Sequence, residues 1–410
     1  MTKQKLTRLW WVLILLLVIT GFGLLYLRVT KGLAVTNLNN IVGWGLWVAL
    51  YIFFIGISAG SYLVSATVYG LGNPRFNDVA RLSLFISIIS LVAGLFFIFI
   101  DIGHMSRFWT VFFNHNWASV LSWELQLYVV YFLLLIIQFW LVIKRDLHLI
   151  WAEKISSGGM VASLLFKGQS PAAKETQQEQ KWVRRLALIG IPLSIAVHGG
   201  TGAIFAVVKA RSFWNSAIFP IVFLVSALLS GIALILLVSV SIPEIRHQNK
   251  LISALGKIVV VTVVLDFFLF LTQMFVIVYD ELPRQMITLD ILTSGSFSNI
   301  FWVGQVGLGL VVPLLIFSIR STRESFLWNG VGGLLALVGV FIVRLNLIIP
   351  PLSVPVLGGL VEAYNSSRVI DAYFPSMFEI VTSLVIIIFS VTLFNLGLRY
   401  LPLIQRNSGN

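Results

Sequence analysis

An all-α integral membrane protein of about ten transmembrane helices is what this sequence predicts, and three observations predict it. Of 410 residues, 58% are hydrophobic and 11% are charged, whereas a soluble domain is about a quarter charged. The mean hydropathy is +0.97. The apolar residues also fall in stretches of the roughly 20 residues that a helix needs to cross a bilayer. Cysteine is absent, which excludes disulfides, Cys-ligated zinc, thiolate-held iron–sulfur clusters and covalently attached c-type haem within the chain. The net charge of +12 could suggest nucleic acid, but in so apolar a chain it indicates positive loops on one membrane face, with lipid rather than nucleic acid as the partner.

The ten stretches are 10–27, 41–70, 79–102, 119–143, 182–208, 217–241, 251–278, 300–319, 326–347 and 373–396. Lys3, Lys5 and Arg8 before the first give it the look of a signal peptide. Its length, and the lack of an A-x-A-like site after Leu27, make it a span. Ten spans put both termini on one face, which also carries twenty of the 28 basic residues; the opposite face carries seven, and Arg344 lies inside a span. That asymmetry makes the basic face cytoplasmic, and the expected location is a bacterial or archaeal cytoplasmic membrane. The expected organisation is a first span and outer loop (1–40), a four-helix bundle of spans 2–5 (41–208), a second of spans 6–9 (209–347), and an outer loop, last span and tail (348–410). The polar stretch 144–181 is expected to be a mobile linker between the halves. The outer connections 279–299 and 348–372, with Asp280, Glu281, Asp290, Glu362 and Asp371, are suited to capping or docking.

Ionisable groups inside hydrocarbon are costly and are functional candidates by default. Here they are Asp101 in span 3, Glu124 in span 4, His198 in span 5, Asp266 in span 7, Arg344 in span 9 and Glu379 in span 10, with His104 just past Asp101. Odd spans run outward from the basic face and even spans return. Asp101, Glu124, Arg344 and Glu379 therefore lie toward the opposite face, His198 in that half of its span, and Asp266 near the midplane. Carboxylates, imidazole and guanidinium in one leaflet suggest one polar pocket near the outer surface. Such a set can bind and exchange protons with a small amphipathic ligand such as a quinol. Each group also has a structural reading: snorkelling for Arg344 and Arg107, an interfacial position for Asp101, Glu124 and Glu379, a helix–helix hydrogen bond for His198, and a structural ion pair with Arg344 for Asp266. Spans 2–5 and 6–9 share an orientation. As parallel repeats they would match Asp101 with Asp266, Glu124 with Gln305 and His198 with Arg344. Gly56-Ile-Ser-Ala-Gly60 is a small-xxx-small packing motif.

Several segments carry a family resemblance. Span 2 has Trp44, Trp47, Tyr51 and Gly56-Ile-Ser-Ala-Gly60-Ser-Tyr62. Span 3 ends Asp101-Ile-Gly-His104-Met-Ser-Arg107-Phe-Trp109, and span 4 opens Ser119-Val-Leu-Ser122-Trp-Glu124. Span 5 has His198-Gly-Gly-Thr-Gly202 followed by Arg211-Ser-Phe-Trp214, and span 6 has Pro220, Phe223, Ser230 and Gly231. Together, over most of spans 2–9, they resemble the NrfD-like family of polysulfide reductase membrane subunits. The ten-span length is similar to that of its longer branch, found with hydrogenases and in alternative complex III. The resemblance implies two four-helix bundles, a quinone site near the outer face, and no haem or iron–sulfur cluster in this chain. It implies exchange of electrons and protons between the quinone pool and an extracytoplasmic iron–sulfur protein. That protein would serve a catalytic subunit: a molybdoenzyme, a hydrogenase or a reductive dehalogenase. The family's span 3 carboxylate matches Asp101, its span 5 histidine matches His198, and Asp266 resembles a proton-path position.

The candidates are thus Asp101, Glu124, His198 and Asp266 for proton exchange, with His104, His198, Arg344 and Gln305 lining a quinone pocket. Three other functions compete. One is a quinone-independent scaffold and proton-conducting subunit of a hydrogenase or organohalide-respiring complex. A secondary transporter is weakened by the lack of Gly/Pro-broken spans in corresponding positions. A b-type cytochrome is weakened because His104 and His198 are its only candidate in-span ligands.

Overall fold

A computed structural model describes residues 3–155, 177–364, 366 and 368–404. Ten of its helices are long and apolar enough to cross a membrane, and no strand occurs among the described residues. They are α1 (Lys3–Lys31), α2 (Leu46–Tyr69), α3 (Asn77–Asp101), α4 (Val120–Ile155), α5 (Gln177–Ala206), α6 (Phe219–Ser241), α7 (Asn249–Asp280), α8 (Ile300–Ser318), α9 (Phe326–Ser353) and α10 (Met377–Tyr400). A helix satisfies its own backbone polar groups, which is the condition for crossing hydrocarbon.

Span boundaries differ from the sequence expectation mainly at polar ends. α4 continues through Lys144 to Ile155, because that stretch has neither Gly nor Pro to stop it. Lys144 pairs with Glu179 at the start of α5 (2.5 Å), so both helices extend beyond the apolar window. The rest of the expected linker, 156–176, lies outside the described residues. α1 reaches Lys31, four residues past the apolar run, and carries Arg28 into the protein.

α2 and α6 form the centre. α2 packs on α3, α5, α6 and α9, and α6 packs on α7, α9, α5 and α2. α3 meets α4 and α4 meets α5, and likewise α7 meets α8 and α8 meets α9. α2 and α6 cross at close range. There a Cβ on Gly60 would collide with the Ala227 carbonyl, and a Cβ on Gly231 with the Gly60 backbone, so only glycine allows this approach. Buried hydroxyls add polar links among α2, α3 and α4. Ser58 and Ser87 pair at 3.1 Å, Ser87 meets Tyr131 at 3.1 Å, and Tyr62 donates to Gln138 at 2.9 Å. α1 and α10 pack on each other, and α10 on α3; much of α1's surface faces outward.

α8 is unusual. Its first twelve residues, Ile300–Val311, form a π-helix, and Val312–Ser318 return to α. Pro313 lacks an N–H, so the Gly309 carbonyl loses its usual α-helical donor and the ladder can change register. Gly309 lies against Gly339 of α9, where a Cβ on either would overlap the other's backbone.

Candidate functional site

The structure distributes the sequence-predicted residues among three groups. The first centres on Glu124 of α4, which is 1% exposed. Tyr128, one turn further along the same face, donates to Glu124 Oε1 at 2.6 Å, and the Thr201 hydroxyl of α5 donates to the same oxygen. Tyr51 of α2 shares a 2.6 Å hydrogen bond with Tyr128. Oε2 is buried and has no hydrogen-bond partner. Burying a carboxylate with one oxygen unsatisfied is costly, so the free oxygen marks a place for a proton or a donor. Gly200 leaves space beside it: a Cβ there would meet only Glu124 Cγ, at 3.9 Å. Above the group, Trp44 stacks on Trp214 at 5.8 Å with Phe205 edge-on to both. Trp214 Nε1 donates to the Leu347 carbonyl of α9 at 2.7 Å.

The second group runs from α5 past α6 to α7, α8 and α9. His198 precedes Thr201 by one helical turn and is fully buried, with neither ring nitrogen in a hydrogen bond. Gly56 of α2 makes room for it, since a Cβ there would come within 3.2 Å of Cε1. The His198 ring lies 5.5 Å from that of Phe223, and the Arg344 guanidinium lies 4.3 Å from the same Phe223 ring. Arg344 is 1% exposed and none of its three nitrogens has a hydrogen-bond partner. A cation on an aromatic face recovers part of that cost; the carboxylate that attracts it is Asp266 of α7. Asp266 opens with Gln273 and Gln305 onto a cavity of about 60 Å³ beside the π-helical part of α8. Asn346 of α9 donates to Gln305 Oε1 at 2.8 Å.

The third group closes the C-terminal ends of α1 and α3 and the N-terminal end of α10. Arg28, 2% exposed, donates through Nε to the Ile100 carbonyl (2.7 Å) and through Nη2 to that of Ile102 (2.8 Å). It therefore caps the last turn of α3 with a cation, the favourable sign there. Asp101 lies beside it, within electrostatic reach of Arg28 and Glu379, and its Oδ1 is buried without a partner. Glu379 has a structural task. It forms a capping box with Ser376 and accepts from the Asn37 N–H (3.0 Å), the Ser376 N–H (2.8 Å) and the Tyr373 hydroxyl (2.5 Å). Burial and the neighbouring Glu379 carboxylate push the Tyr373 hydroxyl well up from its usual range. Arg211, on the loop after α5, donates to the Pro351 and Val354 carbonyls (3.1 and 2.5 Å); burial, with Arg284 nearby, holds it below the usual arginine range.

Glu124 of α4 is thus tied through Thr201 to α5 one turn from His198, and Phe223 links His198 to Arg344, which Asp266 attracts. Gln305 shares the Asp266 cavity. Asp101 faces Arg28 and Glu379 instead, and His104 is exposed in the loop after α3. Sequence reasoning passed over Arg28, Tyr128, Thr201 and Tyr373. The i,i+4 spacing of Glu124 and Tyr128 and the i,i+3 spacing of His198 and Thr201 were the available signals.

Against known proteins, residues 34–355 match the family model described as Polysulphide reductase, NrfD. That stretch begins after α1 and ends before α10. A selenate reductase subunit of Mesobacillus selenatarsenatis is 33% identical, over 98% of this chain and 95% of the relative. An Hdr-like menaquinol oxidoreductase integral membrane subunit of Archaeoglobus fulgidus is 26% identical, over 96% and 93%. The menaquinone reductase integral membrane subunit of Nitratidesulfovibrio vulgaris is 24% identical, over 95% and 90%.

Proposed function

We propose, from the premise that the chain belongs to the polysulphide reductase NrfD family, that it is the quinone-reactive membrane subunit of a respiratory reductase complex. It passes electrons between quinol and an extracytoplasmic iron–sulfur partner that serves a catalytic subunit. The observation that carries this reading is Glu124: a buried carboxylate with one oxygen held by Tyr128 and Thr201 and the other free. A quinol hydroxyl can donate to Oε2 while Oε1 stays fixed. Oxidation of the quinol to quinone releases two electrons and two protons. Glu124 accepts one proton and the other passes to water at the outer face, while the neutral His198 imidazole, buried near the Arg344 cation, serves as a hydrogen-bond acceptor for the second quinol hydroxyl. The electrons leave to the partner's cluster, which must dock close by on the opposite face. Asp280, Glu281, Asp290, Glu362 and Asp371 are exposed in the connections there; Asn40 N–H donates to the Arg368 carbonyl (2.9 Å), Gln285 to that of Ser212 (2.8 Å), and Arg284 to that of Val356, which joins the two acidic connections. The two halves act as two bundles in a cytoplasmic membrane, with both termini inside.

The test is purification of the complex from native membranes in mild detergent, with identification of its subunits and assay of naphthoquinol oxidation. Recovery of an iron–sulfur protein and a catalytic subunit together with quinol-dependent turnover is expected. A chain recovered alone that binds no quinone overturns the reading. A second role is favoured by Asp266, which faces a small cavity under the field of Arg344: a proton-conducting path in the second half. Unchanged proton release by an Asp266→Asn complex during quinol turnover would remove it.

A further inference from the structure

We infer that the slot between α1, α3 and α10 holds the polyprenyl tail of a quinone, with the ring at the Arg28–Thr382 end. The inference rests on the quinone reading above for the identity of the ligand, but its site is separate from Glu124 and His198. The slot has a volume of about 350 Å³, within the range of roughly 300–1,000 Å³ usual for small-molecule sites. Two of its three walls, α1 and α10, lie outside the stretch matched by the family model.

Its shape follows from helix direction. α1 contributes Leu17 through Arg28, and α10, running the other way, contributes Thr382 through Leu393. Arg28 and Thr382 therefore share the outer end. The eleven-residue rise from Leu17 to Arg28 gives a slot about 16 Å long. The walls are apolar apart from Arg28, Thr382 and Ser390, and the Ser390 hydroxyl is already donated to the Ile386 carbonyl (2.9 Å). That is a channel for one hydrocarbon chain with a polar group at one end.

The polar end selects the head group. Thr382 is 7% exposed, lines the slot, and its hydroxyl has no hydrogen-bond partner. An unsatisfied buried hydroxyl is costly, and a ligand carbonyl or hydroxyl would satisfy it. Arg28 spends its Nε N–H and one Nη2 N–H on the Ile100 and Ile102 carbonyls, and its charge is balanced by Asp101 beside it. A phosphate head group would meet a cation already compensated, so a neutral head is preferred. A quinone carbonyl can accept from the Thr382 hydroxyl, and a quinol hydroxyl can donate to it.

The test uses the full chain in phosphatidylcholine nanodiscs with two probes: a photoreactive naphthoquinone bearing a polyprenyl tail, and the tail-less naphthoquinone. The tailed probe should label peptides of α1 and α10, and unlabelled tailed quinone should compete where phosphatidylglycerol does not. Gly21→Phe fills the slot from α1, where a Cβ would already sit 3.5 Å from Val385. It should weaken tailed-quinone binding by about tenfold, the loss of roughly two buried methylenes' contact, and leave the tail-less probe unchanged. Thr382→Val, nearly isosteric, should weaken both probes. Labelling confined to α4 and α5, with Gly21→Phe binding as wild type, overturns the slot and leaves the quinone reading standing. Competition by phosphatidylglycerol overturns it in favour of a phospholipid site. No binding of either quinone by the wild-type chain overturns the underlying quinone reading itself.

Discussion

Replacing Glu124 by Gln separates its structural from its chemical task. The amide oxygen can stand in for Oε1, so the hydrogen bonds from Tyr128 and Thr201 survive, each worth about 1 kcal/mol net. The amide NH₂ takes the place of Oε2, which has no partner. A buried donor pair without an acceptor costs about 1–3 kcal/mol, so the variant should fold and assemble with a modest loss of stability. Chemistry should suffer far more, because an amide cannot accept the quinol proton. A positioned general base contributes about 10²–10⁴ in rate, roughly 3–5 kcal/mol of barrier. The assay is naphthoquinol oxidation by the purified complex, normalised to the amount of assembled subunit. Tyr128→Phe provides the comparison, since it removes one donor while leaving the carboxylate, and should lower the rate by only about tenfold, the effect of one hydrogen bond to a charged group. If the Glu124→Gln complex assembles and turns over at the wild-type rate, Glu124 is not the proton acceptor and the first group is structural.

Further outcomes follow from the same geometry. Glu379→Ala removes three hydrogen bonds, one of them the carboxylate half of the α10 capping box, so thermal unfolding in detergent should show a loss of about 2 kcal/mol or more while turnover per folded molecule is kept; a turnover defect without a stability defect would assign Glu379 to the site. Asp266→Asn and Arg344→Met should each destabilise, because each leaves a buried charge without its counterpart. The double variant should recover about 0.5–3 kcal/mol of the summed loss, and strict additivity in the unfolding free energies would show that the two do not interact. Gly231→Val should abolish stable expression, since even a single Cβ there overlaps the Gly60 backbone; normal yield and melting would contradict the α2–α6 crossing. Arg28→Met, which uncaps the Ile100 and Ile102 carbonyls, should cost about 1–3 kcal/mol in the same measurement, and Arg28→Lys should restore only part of it because one ammonium cannot reproduce the guanidinium fork.

The ten spans were legible because the bilayer imposes a length and a composition on every crossing helix. Alternating span direction gives each residue an expected height, whereas position around each helix was not legible. Asp101 and Glu124 were given similar depth, and the structure turns Asp101 toward Arg28 and Glu379 while Glu124 faces Tyr128 and Thr201. What decides the facing is packing, and in a chain this hydrophobic the helices have almost no amphipathic stripe to reveal it. Only small residues betray a face: Gly60 marks the α2–α6 crossing and Gly56 the niche of His198. Arg28 was hidden for a different reason. It sits one residue past the apolar run, where a loop was expected, yet α1 continues to Lys31 and the cation turns inward onto the end of α3. The π-helix of α8 had a cue in Pro313, four residues after Gly309, but the cue became informative only with Gly339 packed against that glycine. The residues hardest to read were thus those whose partner lies on a helix distant in sequence. Arg344, whose charge is answered across the protein by Phe223 of α6 and Asp266 of α7 rather than by any neighbour on α9, is the extreme case.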